Sequence, residues 1–143
     1  MVRNLLLASA LIVGGATAAS AASMHFEADL TGKNEVPANT TTGRGHALIT
    51  LDTVSKKLSY TVTFDGLTGP AAAAHFHGPA DKSAVAGVAV PIGGANPVSP
   101  VVGSATLTDA QIKDLTSGKW YVNVHTAANK TGEIRGQVMK SKD

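Results

Sequence analysis

Two histidines one residue apart and a third about fifty positions later carry the chemistry open to this chain. His75 and His77 stand in Ala71-Ala-Ala-Ala-His-Phe-His-Gly78, and His125 stands in Trp120-Tyr-Val-Asn-Val-His-Thr126. Both stretches read as β-strands, and strand side chains alternate faces, so His75 and His77 point the same way with about 6.5 to 7 Å between their Cα atoms. A third imidazole from a neighbouring strand would complete a three-nitrogen set of the kind that suits copper or zinc. His75, His77 and His125 are therefore the candidate metal ligands, copper being favoured and zinc the alternative.

Positioning them requires strands. Short alternating or β-branched runs are separated by Gly, Pro, Asn and Asp, the pattern of an antiparallel sandwich or barrel. Strands are expected at Met24 to Leu30, Gly45 to Leu51, Lys57 to Phe64, Ala71 to His77, Val85 to Val90, Val101 to Leu107, Trp120 to His125 and Glu133 to Met139. Asp52-Thr-Val-Ser-Lys56 reads as a five-residue hairpin turn. Thr108-Asp-Ala-Gln111 has capping-box spacing, so a short helix from about Asp109 to Thr116 should follow, stopped by Gly118. Pro79, Pro91, Pro97, Pro100 and Gly93-Gly94 mark an irregular loop region that begins directly after His77 and could shape whatever the histidines bind.

Alternation assigns faces. Phe76 should be in the core with Ala72 and Ala74 beside it, leaving His75 and His77 outward. Trp120, Val122 and Val124 should face inward, and Tyr121, Asn123 and His125 outward. In Gly132-Glu-Ile-Arg-Gly-Gln-Val138, Ile134 and Val138 should be buried and Glu133, Arg135 and Gln137 exposed. Arg135 would then share the outward sense of His125 and could orient a small anion near a metal through its fork of donors. The competing reading pairs Arg135 with Glu133 or another carboxylate on a solvated face.

Export is expected of the chain. Arg3, the apolar run Leu5 to Val13 and the small-residue tract Ala16-Thr-Ala-Ala-Ser-Ala-Ala22 describe a signal peptide over residues 1–22, too short for a membrane span. The domain left, residues 23–143, is large enough to bury a core and would lie in the periplasm or outside the cell. Cysteine is absent, so thiol redox chemistry is excluded and a metal site must use nitrogen and oxygen. Without Arg3 the 12 Lys and Arg become 11 against 10 Asp and Glu, scattered along the chain. Nucleic acid and anionic lipid, which need clustered cations, are poor partners for it.

His46 alternates with Leu48 and reads as an exposed residue, a fourth ligand being the alternative. His25 would be third in the mature chain if cleavage followed Ala22, where an amine and an imidazole can take Cu(II) together. Glu35, in Lys33-Asn-Glu-Val-Pro37, reads as structural. Phosphate loops, nucleophile elbows and His-Glu-x-x-His helices are absent from the sequence.

Four runs in order, Leu30-Thr-Gly-Lys-Asn-Glu-Val-Pro37, Ala73-Ala-His-Phe-His-Gly78, Gly118-Lys-Trp-Tyr-Val-Asn-Val-His-Thr126 and Gly132-Glu-Ile-Arg-Gly-Gln-Val138, resemble the CHRD domain of exported proteins. The resemblance covers nearly all of the chain beyond the leader. A site-level likeness is to copper-zinc superoxide dismutases, where a His-x-His strand and a later Val-His strand hold copper and an arginine steers the anion. His75, His77, His125 and Arg135 are similar in kind and order, without a zinc-ligand cluster or disulfide. Both likenesses imply an antiparallel Greek-key β-sandwich, superoxide-dismutase-like or immunoglobulin-like, with one short helix. Periodicity alone allows another antiparallel barrel.

Three functions follow as expectations. The first is an exported copper-binding domain serving copper handling or the redox chemistry of a small anion. The second is an extracytoplasmic module that binds another protein or a glycan without catalysis. The third is a three-histidine zinc hydrolase with Glu133 as base.

Overall fold

Asp52 caps its own turn, accepting the amides of Val54 and Ser55 at 2.9 Å each, and this closes the first hairpin of the fold. In the computed structural model, which describes residues 22–142, the strands are β1 (Ser23–Thr31), β2 (Arg44–Asp52), β3 (Lys57–Asp65), β4 (Ala71–His77), β5 (Val88–Pro91), β6 (Val101–Thr106), β7 (Tyr121–Thr126), β8 (Ile134–Gln137) and β9 (Met139–Lys140). One helix, α1 (Asp109–Thr116), precedes β7, and a single 3-10 turn (Gly32–Asn34) follows β1. The expected leader lies, except for Ala22, outside the described residues. No helix among the described residues is long and apolar enough to cross a membrane.

All pairings are antiparallel, in the order β5-β4-β7-β8-β1-β2-β3-β6, with β9 also against β1. β8 returns beside β1, across from the β1-β2-β3 meander, which is the Greek-key arrangement. The sheet curls until its distant strands meet: Tyr60 of β3 and Phe76 of β4 pack edge to face with centroids 5.3 Å apart. The all-β expectation is met by a nearly closed barrel or sandwich. Its core holds Phe26, Leu30, Leu58, Phe76, Trp120 and Val122, among other buried apolar side chains.

The capping box forms, with Gln111 N donating to Thr108 Oγ1 at 3.2 Å and Thr108 N to Gln111 Oε1 at 2.9 Å. The hairpin turn is one residue shorter than expected, since Asp52 pairs with Lys57. The fifth strand starts at Val88 rather than Val85, because the preceding backbone is committed to holding side chains of β4 and β7.

Alternation along β4 fails at one point. Register shifts between Ala71 and Ala73, a bulge that adds a residue and inverts the facing of what lies before it. Ala72 is consequently exposed and Ala71 buried, while Ala74 and Phe76 are inside as expected.

Candidate metal centre

β4 and β7 are neighbours, with Ala73 opposite His125, His75 opposite Asn123 and His77 opposite Tyr121. His125 is thus diagonal to His75 on the same face, a relation that lets long or aromatic side chains touch. Ring centroids are 5.0 Å apart for His75 and His125, 5.3 Å for His75 and His77, and 6.0 Å for His77 and His125. One ligand nitrogen from each of the three lies within 4.8 Å of the others. Nitrogens bound tetrahedrally at about 2.0 to 2.1 Å from a metal stand about 3.3 Å apart, so modest side-chain rotation suffices for binding.

Backbone carbonyls fix two of the rings. His77 Nδ1 donates to Ala86 O at 3.0 Å, and His125 Nδ1 donates to Lys130 O at 2.9 Å. In the neutral imidazole this leaves Nε2 as a bare lone pair on each. His125 Nε2 faces His75 Nδ1 at 3.1 Å, which lets His75 donate to it when no ion is present. His77 Nε2 is different: it is buried and has no hydrogen-bond partner. A buried acceptor left unmade costs about 1 to 3 kcal/mol, and a cation is one way to satisfy it.

Two of the rings favour the neutral form that metals need. Burial, with a smaller contribution from the charge of His125, holds His75 below the usual histidine value. Burial also lowers His77, against the opposing pull of the Ala86 carbonyl.

Behind His77 the outer face of β7 is covered. Tyr121 stacks on His77 from one side, centroids 4.9 Å apart and planes 6° from parallel, while Arg135 of β8 lies over the Tyr121 ring at 3.6 Å. The segment between β4 and β5 straps this stack: Ala86 N donates to Tyr121 Oη at 3.1 Å, and Arg135 Nη2 donates to Asp81 O at 3.1 Å. The loop region after His77 therefore does shape the centre.

Contrary to expectation, neither Glu133 nor Arg135 is exposed. Arg135 is 2% exposed and Glu133 fully buried. They do not pair with each other. Glu133 accepts from Thr41 Oγ1 (2.7 Å), Thr68 N (2.8 Å), Thr68 Oγ1 (2.6 Å), Thr126 Oγ1 (2.6 Å) and Asn129 Nδ2 (3.2 Å). Burial pushes its carboxyl up, but the hydroxyls of Thr126, Thr68 and Thr41 outweigh this and hold it at about 2. A carboxylate so fully engaged cannot serve as the base of a hydrolase; it ties three loops together, including the turn whose Lys130 carbonyl orients His125.

Glu35 and Asn123 were the less legible members. Asn123, opposite His75 on β7, donates Nδ2 to Glu35 Oε1 at 2.5 Å in a buried contact. Gly132 makes this possible, since its φ of 137° excludes an L side chain and an added Cβ would press on Glu35 Oε1 at 2.6 Å. One signal was available: neither face of β7 carries a charge, as befits a strand covered on both sides. His46 pairs with Asp29 at 2.8 Å and His25 with Thr50 at 3.2 Å, so neither joins the three-histidine set.

No curated protein and no solved structure matches the chain. The family model for the CHRD domain matches residues 26–138, from the first core residue of β1 to the last buried residue after β8. With the match spanning well over half of the sequence and every strand that positions the three histidines, the chain belongs to the CHRD-domain family.

Proposed function

We propose that the protein is an exported copper-binding domain whose His75, His77 and His125 hold one ion, with zinc as the alternative occupant, and that it serves copper handling. The observation that carries this reading is His77 Nε2, a buried lone pair without a partner, on a ring that offers a ligand nitrogen within 4.8 Å of the other two imidazoles. The donor set supports copper, because an all-imidazole site without thiolate suits Cu(II), which also stands above zinc in intrinsic affinity. His75 and His125 are partly exposed, so the ion has a solvent-facing side through which it can be loaded or passed on. The same open side is where redox chemistry of a small anion would take place. Arg135 contributes through the ring of Tyr121, as a positioning residue, and the leader-like residues 1–22 support export.

The test is titration of the chelator-treated domain, residues 23–143, with Cu(II) under native mass spectrometry. One ion per chain is expected, with loss of uptake in His77→Ala while the circular dichroism spectrum stays that of a β protein. Uptake no greater than in the variant lacking all three histidines would overturn the proposal, and zinc outcompeting copper would reassign the metal.

A further inference from the structure

On the far side of Tyr121 from His77, a cleft of about 480 Å³ opens between β1, the 3-10 turn and β8, with Arg135 and Glu35 in its wall and Lys33, Lys82, Glu27 and Asp29 around them. The volume falls in the range of small-molecule sites. Its wall holds an unusual charge. Arg135 is 2% exposed, yet no carboxylate among the described residues is within ion-pairing distance of it. Its side-chain partners are a carbonyl, Asp81 O, and the face of Tyr121. Buried guanidinium groups are ordinarily matched by an anion, because desolvating the charge costs several kcal/mol that carbonyls and π faces repay only in part.

The cleft's own carboxylates do not fill that role. Asp29 is engaged by His46, and Glu27 is exposed on β1. Glu35 is 8% exposed and already accepts from Asn123. Were Glu35 the counterion, the guanidinium would hold its carboxyl low; instead burial prevails over the attraction of Arg135 and pushes it up to about 7. Below neutral pH Glu35 is thus mostly a neutral acid that can donate a hydrogen bond to a ligand rather than neutralise the arginine.

We propose that this cleft binds a small organic carboxylate, held by the Arg135 fork and by the Glu35 carboxyl as hydrogen-bond donor, with Lys33 and Lys82 adding attraction at the mouth. A planar two-oxygen anion suits a guanidinium, whereas a dianionic oxyanion would meet the repulsion of Glu27 and Asp29 as well. Met139 offers an apolar wall for the body of the ligand. The assignment does not require an ion at the three histidines.

Titrating the isotope-labelled domain with propionate, benzoate or inorganic phosphate, followed by amide chemical shifts, decides the matter. Saturable shifts confined to the amides near positions 33–35, 82 and 135–137 are expected with the two carboxylates, equally in the presence of chelator. With Glu35 titrating at about 7, affinity should be about tenfold weaker near pH 8 than near pH 6. The Glu35→Gln variant, which keeps a donor at every pH, should bind with the same affinity at both. Absence of saturable shifts in the wild-type protein, or equal wild-type affinity at the two pH values, would overturn the proposal, and tighter binding of phosphate than of either carboxylate would overturn the ligand class.

Discussion

The ring of Tyr121 lies 6° from parallel with that of His77 and 4.9 Å from it, while Arg135 sits 3.6 Å over the same tyrosine ring. The His77 imidazole is thereby the end layer of a stack anchored in the protein. Its tilt is set by Tyr121, and its tautomer by the Ala86 carbonyl that also meets the tyrosine hydroxyl, at 3.3 Å.

Removing only that hydroxyl separates the two controls. Tyr121→Phe keeps the stack but leaves Ala86 N without its acceptor, so stability should fall by about 1 kcal/mol. Copper affinity should fall about tenfold, as for loss of other groups that orient metal ligands. Denaturant unfolding and competition titration measure the two; unchanged affinity would show that the strap does not govern His77.

Glu133→Gln should destabilise the domain by about 3 kcal/mol, because a carboxylate accepting several buried hydrogen bonds is replaced by an amide that must turn a donor toward one of them. The carboxyl titrates at about 2 in the fold against 4.5 as reference. Its stabilisation is therefore present above pH 4.5 and lost as pH falls through about 2. Urea unfolding at pH 7 and pH 3 should show the variant's deficit shrinking at the lower pH.

Glu35 has the opposite sign. Its folded value of about 7 lies above the reference 4.5, so the contribution it makes is complete below pH 4.5 and disappears as pH rises through 7. Glu35→Gln should therefore gain on the wild-type protein by something of the order of 3 kcal/mol between pH 4.5 and pH 8. Melting curves at those two values check the trend, and a gap that does not change with pH would contradict it.

Copper affinity should decline at lower pH than it would for a free three-histidine peptide. Burial lowers both His75 and His77 from 6.5, so protons compete for their nitrogens later than they would in a free peptide. The metal-free fold should lose stability over the same acid range, since below 6.5 the unfolded chain takes up protons that the folded histidines resist. Competition titration across pH 5 to 8 reads the first effect; a decline that sets in at the same pH as for the free peptide would contradict it.

Gly132→Ala should cost about 2 kcal/mol or more, through its φ of 137° and the pressure of a Cβ on Glu35 and Asn123. Urea unfolding measures it, and a cost under 0.5 kcal/mol would show that the Asn123–Glu35 contact tolerates displacement.

The sequence by itself determined the strands, their inward faces and the pairing of His75 with His77, because alternation is a local property of an extended chain and Phe76, Val122, Val124 and Ile134 state it without ambiguity. Thr108 and Gln111 likewise fixed the start of the helix through bonds that span three residues. The bulge at Ala72 escaped, since an inserted residue is visible only against the partner strand. The arrival of His125 at His75 depended on β4 and β7 being neighbours, a relation between segments fifty positions apart. Above all, the outer face of β7 and β8, solvated by periodicity, is covered: whether Glu133, Arg135 and Tyr121 meet water depends on where the loops carrying Thr41 and Thr68, the 78–87 strap and the residues around Glu35 come to rest. Periodicity assigns a side chain to a face, but only the packing of distant loops decides what lies over that face.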